Sequence, residues 1–132
     1  MTFYYQQFLA IRAAVYPESE AYLLARLRRA QAFMQAHYAE PLTLEEVAAA
    51  ACFSPSHFRR LFRRYYGRAP QQYLREVRVG RARELLRAGW PVATTCAAVG
   101  FESPSSFTAL FRRATGYAPA DFGRLAGGEK SF

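Results

Sequence analysis

The sequence predicts an all-α protein in which two helix-turn-helix subdomains are joined by a long central helix, with an extra helix at the N-terminus. Apolar residues recur at helical spacing through most of the 132 residues, and the alternation typical of strands is absent. The segment Ser54–Arg64 returns in similar form at 103–113, and each copy is followed by a glycine, Gly67 or Gly116. A repeated, capped helix indicates two similar surfaces in one chain.

Composition favours a folded domain with an anionic partner. The chain is 52% hydrophobic and 21% charged, which is typical of globular proteins rather than disordered ones. Its formal net charge of +8 indicates binding to a polyanion such as DNA. The length is that of one compact domain or of two small subdomains that share a helix.

The first two predicted helices are amphipathic. One covers residues 1–17 and is stopped by Pro17, and the other runs from about Ser19 to Tyr38. Their apolar faces carry Tyr4, Phe8, Ile11 and Val15 in the first helix, and Leu23, Leu27, Ala30 and Met34 in the second.

The first predicted helix-turn-helix motif spans about residues 43–67. Thr43 and Glu46 have the spacing of a capping box, in which each side chain accepts from the backbone amide of the other. After a tight turn, Ser54 caps a helix that ends at Gly67. The residues that the first short helix is predicted to bury are Leu44, Val47, Ala48 and Ala51.

The second half of the chain repeats this pattern. A linker helix over 70–87 leads to a second motif at about 92–116, and a last short helix begins near Pro119. A glycine-rich flexible tail is predicted at 126–132. The two helices of the second motif cover 92–99 and 104–114.

The helix that follows Ser54 has an apolar and a cationic face. The cationic face holds Ser56, Arg60 and Arg63, with further arginines beside it, and no acidic residue lies between Ser54 and Arg75. Such a face is typical of solvated surface or of a nucleic-acid-binding helix, and the second copy favours the latter. The apolar face carries Phe58, Leu61, Phe62 and Tyr65.

A recognition helix lies in the major groove with its N-terminal residues nearest the base edges. On that geometry Ser56, Arg59 and Arg60 are predicted to read bases. Arg63 and Arg64 lie one turn further on and are predicted to contact phosphates.

The second recognition helix offers shorter side chains. Ser105, Thr108 and Ala109 lie near the bases, where a methyl group can contact thymine, and Arg112 and Arg113 are predicted to contact phosphates. We therefore expect the first motif to carry most of the hydrogen-bonded readout. The core face of this helix carries Phe107, Leu110 and Phe111.

The linker helix sets the distance between the two motifs. A helix over 70–87 is about 27 Å long at about 1.5 Å per residue. Successive major-groove segments on one face of DNA lie about 34 Å apart. One chain can therefore present both helices to one side of the duplex with some bending of the DNA, so a monomer is expected.

Other chemistry is not indicated. The two cysteines, Cys52 and Cys96, lie in alanine-rich apolar stretches and are interpreted as buried thiols. His37 and His57 are too far apart for a local metal pair, and no nucleophile or acid–base constellation is present. We expect no metal, no cofactor and no enzymatic activity.

Two aromatic features remain open. The segment 3–9 either packs on helix 19–38 or forms a contact face for a second copy or for RNA polymerase. Trp90 is interpreted as a core residue between the subdomains. The sequence has no apolar run of membrane-spanning length and no secretory signal, so a soluble, cytoplasmic protein is expected.

A long ordered set of residues resembles the AraC/XylS family of bacterial transcription regulators over about residues 20–125. The matching residues are Leu42 to Ala48, Phe53 to Phe58, Leu61 to Arg64, Gly67, Pro70, Tyr73, Arg78, Ala82, Leu85, Leu86, Val99 to Ser103, Phe107, Phe111 to Arg113, Gly116, Pro119 and Phe122. We accordingly assign 18–125 to a DNA-binding domain of this type.

The resemblance implies seven core helices with two helix-turn-helix motifs and sequence-specific binding to double-stranded promoter DNA. It also implies activation of transcription through contact with RNA polymerase. By position it implies base reading by Ser56, Arg59 and Arg60 in the first motif and by Pro104, Ser105 and Ala109 in the second. The chain resembles the short members that lack a sensor domain, or a segment of a longer member.

A second hypothesis uses the same fold differently. The basic faces are also compatible with non-specific DNA binding, because phosphate contacts supply affinity without sequence information. A protein-interaction adaptor is the other alternative.

Overall fold

The computed structural model describes residues 19–129, which form seven α-helices and no strand. The all-α class and the two-motif architecture are confirmed, while the predicted helix at 1–17 lies outside the described residues. In chain order the helices are α1 (Glu20–His37), α2 (Leu44–Ala50), α3 (Pro55–Tyr66), α4 (Pro70–Arg87), α5 (Val92–Ala98), α6 (Pro104–Thr115) and α7 (Pro119–Glu129).

Side-chain caps start α2, α3 and α6 where the sequence predicts them. The capping box is present: the Thr43 hydroxyl accepts from the Glu46 amide at 3.2 Å, and the Glu46 carboxylate accepts from the Thr43 amide at 3.3 Å. Ser54 and Ser103 cap α3 and α6, each followed by proline at the first helical position. These bonds satisfy amide donors that the first turn of a helix leaves unpaired.

Each motif has its own core, and α4 contributes to both. The first core is built around Phe58 and Phe62 of α3, and the second around Phe107 and Phe111 of α6. Along α4, Leu74 belongs to the first core, and the residues from Val79 to Leu86 that it buries belong to the second. The linker helix therefore packs into both cores and is not an exposed connection between them.

The turns of the two motifs have equivalent backbone hydrogen bonds, but the second turn is one residue longer than the first. In the first turn Phe53 donates its amide to the Ala48 carbonyl at 2.9 Å, and in the second Phe101 donates to Cys96 at 3.2 Å. Both are Schellman motifs, which need a left-handed residue just before the donor. The second turn holds one further residue, Glu102, before its serine cap.

The prediction that Cys52 is a buried thiol is wrong, whereas Cys96 is buried as predicted. Cys52 occupies the left-handed position of the first turn, with φ at +62°, and this position points its side chain to solvent. The second turn has Gly100 there, with φ at +91°.

The prediction that Trp90 is a core residue between the subdomains is also wrong, because 43% of its surface is exposed. The Trp90 amide donates to the Leu85 carbonyl at 3.0 Å, and the Gly89 amide donates to Leu86. This is the Schellman ending of α4, and it places Trp90 on the outside of the turn.

The last helix is longer than predicted. α7 continues through Glu129, so residues 126–129 of the predicted tail are helical, and 130–132 lie outside the described residues. No helix between residues 19 and 129 has both the length and the apolar character needed to cross a lipid bilayer.

A junction formed by Arg78 of α4, Gly100 and the turn after α1 ties the two motifs together. The Arg78 guanidinium donates to the carbonyls of Tyr38, at 2.7 Å, and Glu40, at 2.9 Å. A Cβ at Gly100 would lie 2.9 Å from the carbonyl oxygen of Ala39, closer than real Cβ atoms approach. The backbone of the second turn therefore packs directly against the end of α1.

The environment of Arg78 matches this structural role. Burial, together with the nearby charge of Arg75, lowers the pKa of the Arg78 guanidinium below its ordinary value, and Glu102 opposes that shift. An arginine keeps its charge despite such a shift, so the two carbonyl acceptors are bonded by a cation.

Candidate nucleic-acid interface

The faces of α3 are those that the sequence predicts. Phe58 and Phe62 are fully buried and Leu61 is 8% exposed, so this side of the helix is fixed in the first core. The predicted contact residues on the other side are all exposed: Ser56, Arg59, Arg60, Arg63 and Arg64.

The second recognition helix presents a smaller and less charged surface. Phe107 and Phe111 anchor α6 in the second core, while Leu110 is half-buried. Thr108 is half-buried as well, so its side chain is less accessible than the other predicted contact residues. The remaining predicted residues are exposed: Pro104, Ser105, Ala109, Arg112 and Arg113.

The cationic charge on these two helices is not neutralised locally. Neither α3 nor α6 contains an acidic residue. Within the described part of the chain, none of their arginines has an ion pair, and Arg64 lies beside the Tyr65 ring at 5.8 Å. The ion pairs lie elsewhere and join His37 to Glu40, Arg68 to Glu76, Arg81 to Glu84, and Arg124 to Asp121. The exposed guanidinium groups are thus available to an anionic partner.

The start of α6 carries a cluster of hydroxyl groups. The Ser103 hydroxyl accepts from the Ser106 amide at 3.2 Å and donates to the Ser106 hydroxyl at 2.9 Å. Ser105 lies 3.3 Å from the same oxygen. Ser105 therefore has a local hydrogen-bond partner in addition to any external one, which limits its reach.

A contact that the sequence did not reveal fixes the first turn. Arg26 of α1 donates through Nε to the Ala51 carbonyl at 3.0 Å and through Nη2 to the Cys52 carbonyl. Its guanidinium also lies 3.9 Å from the centre of the Phe53 ring. These groups are more than twenty residues apart in sequence, so no local spacing pattern could identify the pair.

The histidine near the interface packs at the start of its helix. The His57 ring meets the Phe53 ring edge-on with centroids 5.4 Å apart, and the side chain is half-buried. Across residues 19–129, no group of three His, Cys, Asp or Glu side chains is arranged to hold a metal ion.

Sequence comparison finds relatives among transcription regulators. A family model described as a helix-turn-helix domain matches residues 47–124. The transcriptional regulator ArgR of Pseudomonas aeruginosa is 41% identical over 61 residues, which is 46% of this chain and 18% of that protein. The transcriptional activator RhaS of Klebsiella pneumoniae is 40% identical over 63 residues, which is 48% of this chain and 23% of that protein. The chain spans about a fifth of the length of these curated relatives.

Structural comparison finds the same architecture. An AraC-type DNA-binding regulator from Chromobacterium violaceum superposes with a TM-score of 0.73 at 29% identity, covering 78% of this chain and 93% of that one. The DNA-binding domain of AdpA, solved in complex with a target DNA, superposes with a TM-score of 0.75 at 32% identity. That match covers 80% of this chain and 96% of the AdpA domain.

Proposed function

Because this chain belongs to the AraC-type helix-turn-helix family, we propose that it is a sequence-specific DNA-binding regulator of transcription that inserts α3 and α6 into adjacent major-groove segments. The observation that carries the proposal is the pair of exposed faces, each on a capped helix and each with unpaired arginines. The likeness to the AdpA domain, whose structure was solved with a target DNA, supports it.

The first helix supplies most of the base readout in this proposal. Arg59 and Arg60 lie in the N-terminal half of α3, where a helix in the major groove comes nearest the base edges. An arginine can donate two hydrogen bonds to O6 and N7 of one guanine, which is worth about 1–3 kcal/mol of discrimination. Ser56 reads a neighbouring base, and Arg63 and Arg64 contact phosphates.

In this proposal α6 contributes more to phosphate contact than to base recognition. Arg112 and Arg113 contact phosphates and supply affinity that is independent of sequence. Thr108 is half-buried, and its proposed contact is between its own methyl group and the methyl group of a thymine. The proposed base contacts of this helix come from Pro104, Ser105, Thr108 and Ala109.

The proposal extends to partners and place of action. One chain carries both motifs, so a monomer binds an asymmetric site without the dimer that single-motif proteins need. The regulator activates transcription by contacting RNA polymerase at a promoter in the bacterial cytoplasm, without a membrane or a cofactor. RhaS of Klebsiella pneumoniae is a transcriptional activator, and this supports the activating direction.

Selection of bound sequences from a random duplex pool tests sequence specificity. At about 150 mM salt, where weak phosphate-driven binding is suppressed, we expect two short blocks whose centres lie about one helical turn apart. The block read by α3 should be the stronger one. A pool that yields no enriched sequence contradicts specific recognition and favours non-specific binding or an adaptor role.

Two substitutions separate base reading from phosphate contact. Arg60→Ala should weaken binding to the selected site about 10- to 100-fold and binding to random duplex much less. Arg63→Ala should weaken both and reduce the slope of log K against log salt by about one. Arg29→Ala on α1, which also removes an exposed charge but lies outside the proposed interface, is the control. Equal losses on both duplexes for Arg60→Ala would contradict base reading at this position.

A further inference from the structure

A cleft lies between the linker helix α4 and the flank of the recognition helix α6. It has a volume of about 400 Å³, within the range of small-molecule sites. Its lining includes three arginines, Arg75, Arg83 and Arg113, and the apolar residues Val79, Leu110 and Ala114, of which Val79 is only 6% exposed. The cleft thus combines positive charge with hydrophobic surface.

The residues that line this cleft carry a net positive charge. Glu76 is the one acidic residue in its wall, and the Glu76 carboxylate is already paired with Arg68. The Nε of Arg83 is buried and has no hydrogen-bond partner among the described residues. Buried donors in folded proteins are almost always bonded, so this N–H is an unsatisfied group in the wall of the cleft. Because the Nε itself has no exposed surface, the guanidinium donors that an anion can reach most readily are those of the exposed Arg75 and Arg113.

We propose that this cleft binds a small organic anion, in chemical class a carboxylate with an apolar body, with its carboxylate on the arginines and its apolar part on Leu110 and Ala114. A guanidinium fork matches the two oxygens of a carboxylate, and the resulting pair is bidentate and charge-assisted. The apolar lining selects against inorganic anions, which would leave Leu110 and Ala114 uncovered.

The site is placed to affect DNA binding. Arg113 lines the cleft and is also a proposed phosphate contact of α6. A carboxylate that engages Arg113 competes with the phosphate, so the anion lowers DNA affinity and DNA lowers anion affinity by the same factor. This coupling rests on the DNA-binding function proposed above, whereas the anion site itself does not.

Titration of the free protein with 1-naphthoate, followed by ¹H–¹⁵N NMR, tests the site without DNA. We expect shifts concentrated at the Arg83 Nε–H and at the amides of Gly80 and Leu110. The uncharged 1-naphthamide, which has the same ring, should bind at least about tenfold more weakly because it lacks the charge-assisted bonds. Equal binding of the amide, or shifts spread over the arginines of α3, would overturn the proposal.

Substitutions locate the carboxylate. Arg83→Gln and the exposed Arg75→Gln should each weaken naphthoate binding about tenfold. Arg29→Gln removes the same charge outside the cleft and should leave binding unchanged. Arg75→Gln is the deciding variant if the half-buried Arg83 is needed for folding, as circular dichroism would show. An effect of Arg29→Gln as large as that of Arg75→Gln would reduce the site to general electrostatic attraction and overturn it.

Binding to the selected duplex then tests the coupling. Saturating naphthoate should weaken DNA binding by wild-type protein several-fold and DNA binding by Arg75→Gln less. Without naphthoate, Arg75→Gln should bind DNA as Arg29→Gln does. A larger loss would make the cleft a site for a DNA phosphate and overturn the proposal. Naphthoate binding without any change in DNA affinity would overturn the coupling but not the anion site. If no variant binds any duplex, the proposed function is refuted, and the NMR titration still decides whether the anion site exists.

Discussion

Replacement of Gly100 by alanine tests whether the second motif is held against the end of α1. An added Cβ at this position would lie 2.9 Å from the carbonyl oxygen of Ala39 and 3.0 Å from its carbonyl carbon and Cα. These are backbone atoms, so the neighbour cannot move aside by changing a rotamer. Gly116 is the matched control, because it has a similar φ of +84° and no atom within 4 Å of an added Cβ.

The expected loss of stability has two parts. A left-handed conformation costs a non-glycine residue about 1–2 kcal/mol, and both variants incur this cost. Forcing extra atoms into a packed region costs a further 1–3 kcal/mol or so, and only Gly100→Ala incurs it. The lower backbone entropy of unfolded alanine affects both variants equally and cancels in the difference. Gly100→Ala should therefore be less stable than Gly116→Ala by about 1–3 kcal/mol.

Urea unfolding monitored by circular dichroism measures this difference. The two variants should share the slope of unfolding free energy against urea and differ in midpoint. In the proposed binding mode, DNA affinity of the folded variants should also fall more for Gly100→Ala, since α6 must shift. Equal midpoints for the two variants would refute the reasoning that Ala39 and Gly100 are in tight backbone contact.

Three further predictions concern stability and thiol chemistry. Thr43→Ala removes the capping box of α2 and should lower the unfolding free energy by about 0.5–2 kcal/mol in urea titration, and no loss would argue against the cap. Phe107→Ala, at a fully buried position, should lower the unfolding free energy by about 3–5 kcal/mol. Leu125→Ala, at a position 56% exposed, should change the unfolding free energy little, and similar effects of the two substitutions would contradict the burial pattern. Burial raises the pKa of the Cys96 thiol above its ordinary value of 9.0, so the folded state favours the neutral thiol. The neutral thiol therefore contributes to the free energy of unfolding below about pH 9, and this contribution is lost as the pH rises through the folded-state pKa. A thiolate-specific reagent should accordingly modify exposed Cys52 first, and rapid modification of both cysteines in folded protein would show that Cys96 is accessible.

Local signals accounted for most of the fold. The caps at Thr43, Ser54 and Ser103 depend on bonds between residues three apart, so the sequence carries the whole interaction. The apolar faces of α3 and α6 likewise depend on helical spacing alone. These elements were predicted with ends that differ from the structure by at most about one residue, within the usual variation of helix assignment.

Failures arose where backbone geometry or distant contacts decide the outcome. Cys52 has apolar neighbours in sequence, but its left-handed backbone turns the thiol outward. Trp90 is a large apolar residue, but the ending of α4 places it outside both cores. The bonds made by Arg26 and Arg78 join segments far apart in the chain, and neither arginine differs from a surface arginine in its local sequence.

In the candidate interface, too, the features set by local sequence were predicted and those set by contacts between helices were not. Exposure of Arg59, Arg60 and Arg63 followed from helical spacing, because the opposite side of α3 is apolar. The half-burial of Thr108 did not follow, since it depends on how α6 lies against its neighbours. The cleft beside Arg83 requires two helices to be placed side by side, and no single segment encodes it.

The junction at Arg78 and Gly100 has a consequence for the promoters that such a regulator can serve. In the proposed binding mode, with both motifs fixed to α4 and to the end of α1, α3 and α6 meet the duplex at one rotational phase. One base pair inserted between the two blocks would turn the second block by about 34° around the DNA axis, out of reach of a protein whose subdomains cannot rotate independently. Base substitutions within a block would weaken a promoter by degrees, whereas insertions and deletions between the blocks would abolish regulation in a single step. Binding sites for this protein should therefore diverge in sequence while keeping their spacing constant.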